Sequence, residues 1–249
     1  MHRLFLPAPL SGASADLNAQ ARRHVRALRL REGDEVAAFD GEGGQWRARL
    51  LPGDRLELLD FDPVERELGR AVELAVGMPA NERMDWLVEK ATELGARALA
   101  PLMCARGVLR LEGERAQRRL AHWHGVAVAA CEQCGRNRVP ELREVAGLQA
   151  WLRALPAPAG QARCLLAAPR GDAAAARPVA RWAAALRPGQ PVLALSGPEG
   201  GLDEAEIDAA LRAGFEPVSL GPRTLRAETA PLALLAALAA LAESDAPPA

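Results

Sequence analysis

Two glycine-bearing loops hold the residues best suited to grip a ligand. The first, Ser196-Gly197-Pro198-Glu199-Gly200-Gly201, follows the apolar run Leu193-Ala194-Leu195. The second, Gly221-Pro222-Arg223-Thr224-Leu225-Arg226-Ala227-Glu228, follows Val218-Ser219-Leu220. Glycine has no Cβ, so backbone N–H and C=O groups can approach a bound molecule closely and φ can be positive. Either loop taken alone would serve equally well as a structural turn. Neither carries the Gly-x-x-x-x-Gly-Lys-Ser/Thr spacing of a phosphate loop, nor the Gly-x-Gly-x-x-Gly spacing of a dinucleotide site. That argues against a nucleotide hydrolase, another phosphate-binding enzyme or a typical dehydrogenase.

Three other features could do chemistry. Arg115, Arg118, Arg119, His122, His124, Arg136 and Arg138 are opposed only by Glu132, which suits a local RNA contact or a solvated helix face equally. His122 and His124 precede Cys131-x-x-Cys134, a donor set that zinc could use. On one helix, however, His124 and Cys131 would stand about 10 Å apart, too far to share an ion, so packed thiols are expected instead. Lys90 is the one lysine among 31 basic residues and reads as a surface charge. Trp46, Trp86, Trp123, Trp151 and Trp182 fall in predicted elements, where core packing is their expected use.

The elements that would position the loops alternate. Residues 1–69 read as short strands and turns, with strands at 35–40 and 45–51 around Gly41-Glu42-Gly43-Gly44, a hairpin signal, and another at 55–60. Pro63 and its charged neighbours mark a boundary. From residue 71 strands at 72–78, 99–102, 163–168, 191–196 and 216–220 alternate with helices at 115–132, 147–155, 173–186, 203–213 and 228–242. A further helix, capped by Asn81, carries Met84, Leu87, Val88, Ala91 and Leu94 at the 3.6-residue period. Asp203 with Glu206 three residues on is a capping box. The alternation predicts an α/β domain with a mostly parallel sheet covered on both faces, whose ligands bind beyond the carboxyl ends of the strands.

With 249 residues, 49% of them hydrophobic and 25% charged, the composition is that of an ordinary globular chain of one or two domains. The longest apolar stretch, residues 231–242, falls short of the roughly 20 residues that span a bilayer. The N-terminus lacks the pattern of a secretory signal, so a cytoplasmic location is expected. Four scattered cysteines predict free thiols. A net charge of −1 leaves any RNA binding to local patches.

The residues also carry a family resemblance. Leu195-Ser196-Gly197-Pro198-Glu199-Gly200-Gly201-Leu202 and Leu220-Gly221-Pro222-Arg223-Thr224-Leu225-Arg226-Ala227-Glu228-Thr229-Ala230 are similar to the paired signature of the RsmE family. These are small-subunit (16S) rRNA uridine-N3 methyltransferases of the SPOUT superfamily. Glu89-Lys90-Ala91-Thr92-Glu93-Leu94-Gly95 and the stretch from Ala129 to Pro140 resemble further signatures, and His2-Arg3-Leu4-Phe5 with residues 24–29 resembles the N-terminal domain. The resemblance implies a PUA-like, RNA-binding β-barrel over residues 1–69 and a SPOUT methyltransferase domain over 70–249. It implies a deep trefoil knot in the latter, which periodicity does not reveal. It further implies a homodimer with an active site shared between subunits, S-adenosylmethionine as cofactor, and 16S rRNA or the assembled small subunit as substrate.

Cofactor binding is carried over onto Leu195, Gly197, Glu199, Gly200, Gly201, Leu220, Gly221, Leu225 and Arg226, with Leu166 and Ala167 from the preceding strand end. Uridine N3 is protonated at neutral pH and must lose its proton to attack a methyl carbon, so a general base helps. Glu228 is the carboxylate beside the second loop; otherwise it is a first-turn residue favoured by the helix dipole. Arg226 and Arg136 could stabilise negative charge on the uracil carbonyls, and the Gln133 amide could read a uracil edge. No metal is expected. The alternatives are a knotted methyltransferase acting on a tRNA base or a ribose 2′-hydroxyl, and a non-catalytic RNA-binding module.

Overall fold

The structure, a computed structural model, describes all residues except Ala8, Asn81, 167–175 and 245–249. The chain divides into two compact units, one made of Met1–Glu67 with Val128–Val139 and the other of Leu68–Ala127 with Pro140–Ala249.

The first unit contains a five-stranded sheet in the order β1-β3-β4-β5-β2. Its elements are β1 (His2–Phe5), β2 (Ser14–Asp16), α1 (Ala19–Ala27), β3 (Glu35–Phe39), β4 (Gln45–Leu51) and β5 (Arg55–Asp62). Strand β1 pairs in parallel with β3, and the remaining pairs are antiparallel. Helix α1 departs from the expected strands and turns. Asn18 caps it, accepting from the Ala21 N–H at 2.8 Å, and its narrow apolar face, Ala21 buried and Val25 partly buried against the core, is set among arginines. Leu4, Val36, Ala48, Leu50 and Leu56 form the core.

The second unit is built on eight parallel strands. In chain order the elements are β6 (Val72–Gly77), α2 (Glu82–Glu93), β7 (Ala98–Met103), α3 (Gly113–Cys134), β8 (Glu141–Leu142), β9 (Ala146–Gly147), α4 (Leu148–Ala154), β10 (Ala162–Leu165), β11 (Arg177–Pro178), α5 (Val179–Ala183), β12 (Val192–Ser196), α6 (Glu204–Arg212), β13 (Glu216–Ser219) and α7 (Thr229–Ser244). The sheet order is β11-β13-β10-β12-β6-β7-β8, with β9 also on β7. Helix α3 gives its residues from Val128 onward to the first unit.

Every residue of β12 is buried, as a central strand covered on both faces requires. Leu234, Leu235 and Leu238 of α7 are almost fully buried, each contributing about 1.5–3 kcal/mol of burial. The expected helix over 173–186 proves shorter: Pro178, with φ fixed and no N–H to donate, stands at the N-cap of α5, and residues 177–178 pair with β13. The start of that expected helix, and the expected Asn81 cap, lie outside the described residues.

The tryptophans divide. Trp123 and Trp182 are buried, whereas Trp86 is 45% exposed, which corrects the expectation that all five serve core packing. The cysteines are free thiols. Lys90 lies 2.7 Å from both Glu89 and Glu93 on α2, and these hydrogen bonds push its ammonium up to about 12.

Candidate active site

The two loops follow β12 and β13, which are not neighbours: β10 runs between them. Strand β10 pairs with β12 through Leu165↔Leu195 and with β13 through Leu165↔Pro217, all in parallel. The two loops therefore leave the same edge of the sheet on either side of the end of β10, where Leu166 sits. A cavity of about 750 Å³ opens there, lined by residues 196–202, residues 218–227 and Leu166, within the range of small-molecule sites.

Local chemistry shapes each wall. Asp203 caps α6, accepting from the Glu206 N–H at 2.8 Å, while Glu206 accepts from the Asp203 N–H at 3.0 Å. The other oxygen of Glu206 accepts from the Ala105 N–H at 2.7 Å. Buried at 3% exposure, this carboxylate pins the loop after β7 to the start of α6, where the helix dipole favours it. Arg106, thus held, donates to the Leu202 carbonyl at 3.3 Å. Gly200 packs so closely that a Cβ there would stand 2.9 Å from the Arg106 Cβ and 3.0 Å from its carbonyl oxygen. In the second loop Gly221 has φ +106, a conformation that side chains with a Cβ rarely adopt.

Nearly all the residues expected to hold a cofactor meet at this cavity. Gly197, Glu199, Gly200 and Gly201 line it from the first loop, Leu220, Gly221, Leu225 and Arg226 from the second, and Leu166 between them. Ala167 lies outside the described residues. Leu195 is the correction: it is fully buried in the core with Leu202 and Ile207, and its carbonyl accepts from the Leu166 N–H at 2.8 Å. A residue inside a central strand has both faces and its ladder bonds already occupied, so its part is to support the wall.

Glu228 directly precedes α7 and is 6% exposed. Its Oε1 lies 3.9 Å from Nε of Arg83, and among the described residues its Oε2 has no hydrogen-bond partner. The buried Ser196 hydroxyl, on the cavity wall, has none either. Buried polar atoms are normally satisfied, so the Ser196 hydroxyl leaves room for a polar ligand atom, whereas Glu228 stands next to the lining residue Ala227 without lining the cavity itself.

Arg83, on the first turn of α2, was missed by the sequence reasoning. It lines the cavity and holds Glu199 at 3.2 Å, whose Oε1 also accepts from the Ala80 N–H at 2.9 Å. A cation is disfavoured in the first turn of a helix, and that local misfit was the available signal. Ser196 was legible only as the first residue of its loop. Burial lifts the thiol of Cys104, at the end of β7, to about 12, with Glu206 adding to the effect. It is therefore neutral near pH 7.

Two expected catalytic residues belong to the first unit. Gln133 is exposed beside Arg3, His24 and Glu132, with Glu132 accepting from the Phe5 N–H and lying 2.9 Å from His24 Nδ1. Arg136 is 2% exposed, and its Nε and Nη2 donate to the two oxygens of Glu67 at 3.0 and 2.5 Å. A guanidinium enclosed and bidentately bound in this way offers no open face to a uracil. Sequence spacing shows the charge but not the carboxylate that occupies it. Nearby, Asn137 accepts from Arg3 at 2.7 Å and donates to the Val64 carbonyl at 2.6 Å. The Cys131 thiol faces the Arg138 carbonyl at 3.5 Å and is pushed up to about 12 by burial.

Comparison with known proteins places this geometry. A family described as RNA methyltransferase domain matches residues 66–239, and one described as RNA methyltransferase PUA domain matches residues 17–59. The ribosomal RNA small subunit methyltransferase E of Bacillus subtilis (strain 168) is 32% identical over 222 residues, covering 86% of this chain and 84% of that protein. That of Synechocystis is 35% identical over 228 residues, covering 91% and 72%. The chain belongs to the ribosomal RNA small subunit methyltransferase E family. A family member from Neisseria gonorrhoeae, crystallised bound to S-adenosyl methionine, superposes with a TM-score of 0.84 at 34% identity, covering 97% of this chain and 98% of that one. The α/β fold with its parallel sheet and N-terminal PUA domain follows the family, as the resemblance implied. Among the described residues no helix is long and apolar enough to cross a membrane.

Proposed function

We propose that this S-adenosylmethionine-dependent RNA methyltransferase methylates N3 of a uridine in small-subunit (16S) ribosomal RNA. The observation that carries the reading is the cavity formed by the two loops around Leu166, with Glu228 next in sequence to its lining residue Ala227 and 3.9 Å from Arg83, which also lines it. The family supplies the reaction class, and the fit of the cavity supports this location for the site.

The residues present suit the cofactor. Backbone groups of Gly197, Gly200, Gly201, Leu220, Gly221 and Leu225 would hold its adenosine, Leu166 and the Leu225 side chain would cover it, and the Ser196 hydroxyl offers a free polar contact. When bound, S-adenosylmethionine supplies a methyl carbon on a sulfonium, already activated towards a nucleophile. Glu228 then has the general-base role, taking the uridine N3 proton at Oε2, a contribution of about 10²–10⁴-fold. Arg226 lines the cavity as an exposed cation and would stabilise the negative charge that deprotonation leaves on the uracil carbonyls. Glu199 is assigned to holding Ala80 and Arg83 in place. Gln133 keeps an assignment to RNA contact by the first unit, and Arg136 a structural one. A homodimer in the cytoplasm completes the proposal; sedimentation of the purified chain tests the dimer.

Primer extension on ribosomal RNA decides the substrate, because N3 methylation blocks Watson–Crick pairing. A strain lacking the gene should lose one stop in small-subunit rRNA, and the purified protein with S-adenosylmethionine should restore it. An unchanged stop pattern, or methylation found on tRNA or on a ribose hydroxyl, would overturn the assignment.

A further inference from the structure

The basic stretch of α3 and the exposed Trp86 are left without a task by the active site. A second groove, of about 630 Å³, is lined by Ala80, Glu82, Arg83, Asp85 and Arg119. Arg83 lines this groove and the cofactor cavity alike, so one side chain forms the wall between them. Trp86 follows Arg83 by one turn of α2 and is 45% exposed, unusual for so large an apolar ring. On the facing helix, Arg115 and Arg119 stand at i and i+4, with Arg115 and Arg118 exposed and Arg119 half-buried. After Glu114 no carboxylate occurs on α3 until Glu132.

The acidic residues do not cancel this charge. Asp85 accepts from the Trp123 indole N–H at 2.9 Å and lies 2.8 Å from His122 Nε2, which ties α2 to α3 and directs it away from a free-anion role. Glu82 remains as one opposing charge at the rim. Arg83 is already held by Glu199 and Glu228, so the cations open to a ligand are Arg115, Arg118 and Arg119.

We infer that this groove is the track of the RNA strand flanking the methylated nucleotide, with Arg115 and Arg119 on its phosphates and an unpaired base stacked on Trp86. The occupant follows from the chemistry. A polyanion matches the exposed arginines of α3, an exposed aromatic near such a cluster is the usual platform for single-stranded bases, and Arg83, which lines both the groove and the cavity, brings the neighbouring nucleotide towards the proposed cofactor site. The inference rests on the reading of the chain as an RNA methyltransferase.

The test uses the full-length protein and small ribosomal subunits from a strain lacking the gene. Four readouts are taken: S-adenosylmethionine binding by calorimetry, methyl incorporation with kcat and KM, subunit binding against salt, and sedimentation of the free protein. Failure of the wild-type protein to methylate the subunits defeats the proposed function itself. If the wild type is active, Trp86→Ala should raise KM for the subunit between about fivefold and 150-fold, the range of one base–aromatic stack, with cofactor affinity unchanged. Trp86→Phe should restore most of it. Arg115→Ala/Arg119→Ala should weaken subunit binding and reduce the slope of log K against log salt by about 1.4–1.8, for two phosphate contacts. Unchanged KM and salt slope in these variants overturn the inference, whether or not sedimentation changes. A changed sedimentation with RNA affinity intact assigns the face to a second copy of the chain instead.

Discussion

Arg136→Ala should destabilise the first unit while leaving cofactor binding untouched. The guanidinium is 2% exposed and bidentate on Glu67, whose side chain is 21% exposed. Truncating one partner of a buried pair typically costs about 3–5 kcal/mol, because the other charge is left uncompensated. Glu67 can regain some water, so the lower end, about 3 kcal/mol, is expected. For a chain of this size unfolding cooperatively, that lowers the melting temperature by about 6–12 °C. If the first unit melts by itself, the shift is larger and confined to its transition. Arg136→Lys should recover little, since a single ammonium cannot reproduce the two-pronged contact. The assays are thermal unfolding, calorimetry with S-adenosylmethionine, and a double-mutant cycle with Glu67→Ala. Normal melting combined with a large loss of kcat would refute this reasoning and return Arg136 to the uracil.

Other perturbations probe the active site and the core. Glu228→Gln should lower kcat by about 10²–10⁴-fold, the worth of a general base, with S-adenosylmethionine affinity little changed; near-normal turnover would remove the base role. Gly200→Ala places a Cβ against Arg106 and should cost about 1–3 kcal/mol of overpacking, read as a lower melting temperature and weaker cofactor binding. Wild-type values for both would mean that the Arg106 backbone yields freely. Burial pushes the thiols of Cys104 and Cys131 up to about 12 and raises that of Cys164 as well. In the native state iodoacetamide at pH 8 should therefore label Cys134 alone, and rapid native labelling of Cys131 would contradict its burial. These thiols ionise more readily in the unfolded chain than in the folded one. Their contribution to stability is thus intact below about pH 8.5 and lost as pH climbs towards 12, at up to about 1.4 kcal/mol per thiol per pH unit, which denaturation at pH 8, 9.5 and 11 would follow.

The sequence made local structure legible where one residue type had one physical use. The capping box of Asp203 and Glu206 marks the start of α6 because its two hydrogen bonds span three residues. The spacing of Met84, Leu87, Val88 and Ala91 marks α2 because all four are buried on one face. The glycines of the two loops were readable as a ligand site because both loops follow apolar runs that end in strands, and the family signature lies in those same residues. Helix α1 escaped notice because its apolar face is only two residues, Ala21 and Val25, among arginines.

What the tertiary structure decided is which distant residues meet. The loop after β12 and the loop after β13 line one cavity only because β10 enters the sheet between their strands, an order that no local pattern encodes. Arg83 faces Glu199 and Glu228 from more than a hundred positions away, and Arg136 is claimed by Glu67 across 69. Sequence fixes which side chains carry charge and where the backbone can turn, since these depend on near neighbours. Whether a charge serves chemistry or is neutralised in the interior depends on long-range partners, which only the folded chain supplies.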